Sequence, residues 1–444
     1  MNGESPPRYE FRTDMPGIVE MARFGMTDMA RVIPARILSE PAVQLPSPRF
    51  GPRSPLVVGD PELARMVLAD KAGKFGRDRL MQRLMRRSWG NGLAAAAGIG
   101  WRAQRHAARG FFRTSVLETQ LAPFRQATAD VVRDVRDGET IDLQMLSGRI
   151  IARILLSVLA DAGGIEDPDR LADLLPAYMK AIARFSLTDL LLLPEVAHDL
   201  LAGVPDNPAV ASVRRAARGI AEARADDEHR GDLVNCLLGA GPVEDNIRGL
   251  IPAAMDTTVK GLTWTLYLLA RNPALQDDVA KEKHVGIPAR HSCIGRTVQE
   301  SLRLYPPASF LIRTAIEDLD LGDFPVRKRQ SVIVAIYAMH RHAARWKFPD
   351  RFDPDRFARE AESSPAYIPF GIGPRSCVAA QFALTEIMIV ASEVCRHLRL
   401  EATASQPGVG LQVTTHPIGP VMALAHLRGQ YRKGPDLRPT PLHQ

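Results

Sequence analysis

The sequence predicts a mainly α-helical protein, a large helical domain with a small β-rich portion. Three observations carry this. Apolar residues recur at i, i+3, i+4 spacing through eight segments. Strand-like runs are few and short. No repeat period of about 20–50 residues is present, which excludes a solenoid or propeller array.

The helical segments fall near residues 61–68, 115–135, 143–159, 210–225, 243–270, 274–283, 297–304 and 379–398. Asn272-Pro273 separates two of them, because proline suits the first turn of a helix and not its interior. Pro252 lies inside the longest, where its missing N–H should loosen the helix. The strand candidates are 56–58, 310–316, 331–335 and 421–424. Residues 1–20 and 428–444 are polar and proline-rich, expected to be loosely held tails. Nothing linker-like divides the rest, so 1–444 reads as a single domain.

Composition narrows the function classes. The chain has 444 residues, 45% hydrophobic and 24% charged, with 33 Gly and 34 Pro, which excludes a disordered or collagen-like chain. Its four cysteines lack CxxC spacing, so a zinc ribbon or disulfide framework is not expected. The net charge of +7 is spread along the chain and is not interleaved with stacking aromatics, which argues against nucleic acid. No apolar run reaches the ~18–20 residues of a membrane span, and none has the form of a signal peptide. A soluble, cytoplasmic protein without a membrane anchor is the expectation.

The most informative segment is Phe370-Gly371-Ile372-Gly373-Pro374-Arg375-Ser376-Cys377-Val378-Ala379. Two glycines and a proline make a tight turn that sets a thiol just before a helix, where the dipole and free N–H groups favour thiolate. Arg375 adds a charge that can pair with an acidic ligand group. Upstream, Glu300 and Arg303 share a helix face at i, i+3 and precede Tyr305-Pro306-Pro307. Asp353-Pro354-Asp355-Arg356-Phe357 follows. In the longest helix, Ala253-Ala254-Met255-Asp256-Thr257-Thr258 places an acid beside hydroxyls in an apolar setting, which is costly unless they are partnered. Taken alone, Thr257 reads better as a hydroxyl bonded back to the preceding turn. Lys260, four residues after Asp256, is placed to pair with it. Trp101 and Arg105 share a face at i, i+4.

Together these segments resemble the cytochrome P450 family, in that family's order and spacing from Trp101 to Ala383. The resemblance implies the P450 fold and haem b, with Cys377 as axial ligand of the haem iron. It implies that Arg375, Arg313, Trp101 and Arg105 hold the haem carboxylates beside Phe370, and that Glu300, Arg303 and Arg356 form a buried structural network. Thr257 and Asp256 would manage protons for O2, with the Lys260 pair gating Asp256 if it is buried. Ala254 stands where the family usually has glycine. Ala253, Phe310, Leu311 and Thr415 would line the substrate space, with other wall residues at 79–99 and 182–193. The implied activity is insertion of one atom of O2 into a hydrophobic small molecule. With no flavin or nicotinamide motif in the chain, electrons would come from a separate ferredoxin and its NAD(P)H-dependent ferredoxin reductase. Arg102, Arg105, Arg109 and Arg113 would form part of the docking face.

Overall fold

The computed structural model describes residues 5–24, 28–46, 53–159, 167–182, 207–224, 233–359, 364–412 and 414–429. Its axis is the 28-residue helix Val243–Ala270, here the central helix. From Met255 onward almost every residue is buried, as expected of a helix that is apolar on all sides. Glu244 and Asp245 occupy its first turn, where carboxylates complement the helix dipole. It ends where Asn272 donates its side-chain N–H to Leu268 O, and Pro273 opens the next helix, Pro273–Lys281. Pro252 does not interrupt it. The helix runs through that position, with Pro252 itself buried, so packing outweighs one absent bond.

Helices Thr114–Val132, Leu143–Leu159, Cys293–Leu304 and Ala380–His397 surround the central helix and share its core. These elements, with Pro61–Leu68 and Pro208–Arg224, lie close to the predicted bounds. Asp60 caps Pro61–Leu68 by accepting the Glu62 and Leu63 N–H groups at 2.8 and 3.1 Å. Helices Arg79–Trp89, Gly98–Phe111 and Pro168–Ile182 were outside the periodic layout. The first two are rich in arginine or glycine and bury few side chains, and the third carries Pro176.

The β portion centres on a five-stranded sheet in the order Ala42–Gln44, Leu56–Val58, Ser331–Val334, Leu311–Ala315, Phe75–Arg77. Only Leu56–Val58 and Ser331–Val334 run parallel. A second, smaller core lies beneath it, including Val58, Val334, Trp346 and Phe357. Residues 422–427 form the middle strand of a separate three-stranded sheet. The amino-terminal segment is not a loose tail throughout. Tyr305 Oη donates to Pro7 O at 2.6 Å, Tyr9 N–H donates to Tyr337 Oη at 2.9 Å, and Phe11 is buried.

One polar network sits inside this packing. Glu300 and Arg303 are both fully buried, joined by two bonds at 2.6 and 2.8 Å. Arg303 also donates to the carbonyls of His340, Pro349 and Arg351, and Glu300 accepts from Asp353 N–H and faces Arg356 at 3.5 Å. A buried pair of this kind is tolerable because every remaining donor finds a partner. His340 extends the network. Its Nδ1 meets Arg303 O at 3.1 Å, so Nε2 is left to accept the Ile368 N–H at 3.0 Å.

Burial, with the Arg303 charge, pushes the pKa of His340 down to about 3 from 6.5. The folded protein therefore keeps this ring neutral where the unfolded chain protonates it. Its contribution is complete well above pH 6.5 and drains away as pH falls toward 3. Between pH 6.5 and 5.5 the unfolding free energy should fall by about 1 kcal/mol more in the native protein than in His340→Gln. Urea titrations at the two pH values check this, and equal losses would contradict it.

Candidate active site

The cysteine loop is built by short bonds and two glycines. Gly371 N–H donates to Ile368 O and Cys377 N–H to Phe370 O, each at 2.9 Å. Gly371 and Gly373 adopt φ of 68° and 78°. At Gly373 a Cβ would also lie 2.2 Å from Leu68 O, so only glycine fits against the end of helix Pro61–Leu68. His340 fixes the entry to this loop through Ile368.

The Cys377 side chain is solvent-accessible although protein surrounds it. That enclosure raises its thiol pKa, opposed by the Ala379 N–H and the Arg105 charge. Desolvation thus opposes the thiolate that the helix start is expected to favour. A thiolate here needs a cation at the sulfur, and a bound metal ion deprotonates a thiol outright.

Around this loop are guanidiniums without carboxylates. Arg105 Nη2 lies 3.4 Å from Ser376 Oγ, and its Nε is buried with no partner. Arg375 lies over the Trp101 ring at 4.1 Å, and Arg105 over the same ring at 5.6 Å. Among the described residues Arg313 donates only to the neighbouring Ile312 O. It sits directly across the sheet from Arg77, a like-charge pairing that ordinarily destabilises a ladder. Burial and then neighbouring guanidiniums lower the pKa of Arg77 and of Arg375 to about 10. Among the described residues none of the four is in ion-pair contact with an acid. Asp78, next in sequence to Arg77, is spent on Thr314 Oγ1, Ser331 Oγ and Met81 N–H.

A half-buried cluster of positive charge beside an enclosed thiol fits a metal-bearing group with anionic substituents. The two carboxylates and central iron of haem b meet both requirements. Cys377 would hold the iron, and Arg105, Arg313 and Arg375 the carboxylates. Arg77 was not singled out by sequence, since one arginine in a three-residue strand makes no pattern.

The central helix supplies the second part of the site. Ala253 is exposed within a stretch whose neighbours Pro252, Met255 and Asp256 are buried, so the helix opens onto accessible space there. Thr257 is half-buried and donates to Ala253 O at 2.7 Å, the back-bonded arrangement. The predicted Asp256–Lys260 pair is formed and largely buried. Lys260 Nζ contacts both carboxylate oxygens at 2.6 and 2.7 Å and also donates to Thr414 Oγ1. Thr414 is in turn 3.0 Å from Asp256 Oδ2.

Phe310 and Leu311 are half-buried, and Leu311 approaches Gly371 closely. Thr415 does not line an open space. It is fully buried, donating to Pro306 O at 2.6 Å and meeting Ser309 Oγ at 2.9 Å. Of the wall segment at 182–193, residues 183–193 lie outside the described residues. Arg105 turns toward Ser376 and does not belong to an outer face, whereas Arg102, Arg109 and Arg113 are exposed.

A cysteine loop, an arginine cluster with no ion-paired acid among the described residues and an acid–hydroxyl pair on the central helix together fit a haem-thiolate oxygenase. Comparison agrees. Residues 241–412 match the family model described as Cytochrome P450. The chain is 28% identical to a cytokinin hydroxylase of Arabidopsis thaliana, over 82% of this chain and 79% of that protein. It is 27% identical to a pentalenene oxygenase of Streptomyces avermitilis, over 83% and 87% respectively. CYP175A1 from Thermus thermophillus has a similar structure, with a TM-score of 0.66, 25% identity, and coverage of 87% of this chain and 92% of that one. These findings support a cytochrome P450 of the bacterial type, a monooxygenase with haem b as its cofactor. Among the described residues, no helix is long and apolar enough to cross a membrane.

Proposed function

We propose that this protein oxygenates an apolar, largely hydrocarbon molecule of the terpenoid kind in the cytoplasm, with electrons from a separate ferredoxin and its NAD(P)H-dependent reductase. The observation that carries the reading is the opening of the central helix at Ala253, beside an acid–hydroxyl pair, in a chain whose cysteine loop is ringed by arginines that meet no acid among the described residues. When bound, the haem supplies reductive activation of O2: one atom enters a C–H or C=C bond, the other leaves as water, and two electrons and two protons are consumed.

The chain's own side chains bind, orient and deliver protons. Ala253, Phe310 and Leu311 offer an apolar wall with few polar groups, which suits a hydrocarbon. The relative named pentalenene oxygenase, whose name specifies a hydrocarbon, supports that class. Thr257 donates its own proton to Ala253 O, which leaves its oxygen free to accept from a water and hold that water in place. Asp256 carries protons inward only after its bonds to Lys260 and Thr414 break, so the pair acts as a gate. Exposed Arg102, Arg109 and Arg113 present positive charge to an acidic redox partner.

Incubation with a surrogate ferredoxin pair, NADPH, 18O2 and a panel of cyclic alkenes should give a product with one labelled oxygen and substrate-dependent NADPH use. Label-free product, or turnover that ignores substrate, would contradict the reading. Lys260→Ala should alter the share of reducing equivalents lost as hydrogen peroxide by severalfold; a ratio equal to the native one would count against the gate. Arg109→Glu should slow ferredoxin-driven reduction while leaving dithionite reduction unchanged, and unaltered ferredoxin kinetics would remove this residue from the docking face.

A further inference from the structure

Residues 90–97 connect helix Arg79–Trp89 to helix Gly98–Phe111, and their backbone is held from two sides. On one side the N–H groups point at the first turn of the central helix. Asn91 N–H donates to Asp245 Oδ2 and Leu93 N–H to Asn246 Oδ1, both at 2.7 Å. The approach is close. A Cβ on Gly90, whose φ is 62°, would fall 2.2 Å from the Asp245 carboxyl carbon, and one on Gly92 would fall 2.5 Å from Asp245 O. On the other side the carbonyls face the arginine cluster. Ala94 O and Ala96 O accept from Arg77, and Ala96 O also lies 3.4 Å from Arg375 Nη1.

Two buried amides hold this segment at a cost to themselves. Asn246 is 1% exposed, and its Nδ2 has no partner among the described residues. Gln104 is 3% exposed; it donates Nε2 to Asn91 O at 3.1 Å and leaves its Oε1 unpartnered. An apolar residue of similar shape would avoid these unpaired groups at no loss of packing. Their presence is explained if the bond to the strap is what matters.

We propose that the strap 90–97 is a latch that positions the carboxylate-holding arginines, with Asp245 and Asn246 as remote positioning residues. The bridge is polar and continuous. Side chains of the central helix fix the N–H edge, and the C=O edge gives Arg77 and Arg375 their only acceptors among the described residues, apart from the Met85 sulfur at Arg77. Two guanidiniums that repel one another are thus held in one orientation by peptide dipoles, ready for an anion. The proposal rests on the haem assignment of the site and not on its substrate or redox partner.

Asn246→Leu removes the acceptor together with the unpaired N–H but leaves the Leu93 N–H without its partner, so the melting temperature should fall no more than in the control Gln276→Leu. Haem should nonetheless pass to apomyoglobin about tenfold faster, as expected for loss of one hydrogen bond to a charged group. The propionate bending band in the resonance Raman spectrum should also shift. Gly92→Ala, whose added methyl would press on the Asp245 backbone and push the strap away while leaving every residue of the central helix unchanged, should do the same and serves if the first variant does not fold. Gln276→Leu removes a buried amide that pins the distant Leu400 backbone and controls for general destabilisation. Native haem transfer and an unmoved band in both strap variants would overturn the latch, as would equal acceleration by Gln276→Leu.

Discussion

Positive charge without a counter-ion governs this structure. Four guanidiniums, from Arg77, Arg105, Arg313 and Arg375, converge where no described carboxylate answers them, and their mutual repulsion adds to the penalty of leaving water. A few residues away an enclosed thiol is made harder to ionise by the same loss of solvent. Each feature is unfavourable alone. A single ligand with a cationic centre and anionic edges relieves both, so the protein's electrostatic deficits outline the shape and charge of its cofactor.

Holding such a site against its own repulsion requires a rigid surround. The Glu300–Arg303 pair and neutral His340 tie the loop after Phe352 to the entry of the cysteine loop, and Gly373 lets that loop seat on the end of helix Pro61–Leu68. The central helix then serves two regions at once. Its first turn grips the strap 90–97, and its middle carries the Asp256–Lys260–Thr414 cluster next to Thr257. On the proposed reading, cofactor retention and proton supply would both depend on this one element.

Much of this was legible in the sequence, for physical reasons that differ by residue. The long apolar periodicities of 143–159 and 243–270 survive in the fold because those helices bury most of their surface. The Gly-Gly-Arg-Cys loop was legible because few residues fit such a turn, and the i, i+4 spacing of Asp256 and Lys260 sufficed to foresee their pair. Arg77 was hidden by the shortness of its strand. Thr415 was expected in the open space, but side chains alternate along a strand. Its neighbour Thr414 instead meets the central helix, and Thr415 turns into the packed interior. Anchoring of residues 7–11 by Tyr305 and Tyr337 depends on contacts some 300 positions away, which no local pattern encodes.

The sulfur of Cys377 is the point at which the account is most exposed. Haem-replete protein, reduced and then exposed to carbon monoxide, should show the strongly red-shifted absorption band that an anionic sulfur trans to the gas produces, and Cys377→Ala should lack it. A native protein without that band, or a variant that keeps it, would contradict the assignment of this residue as the axial ligand.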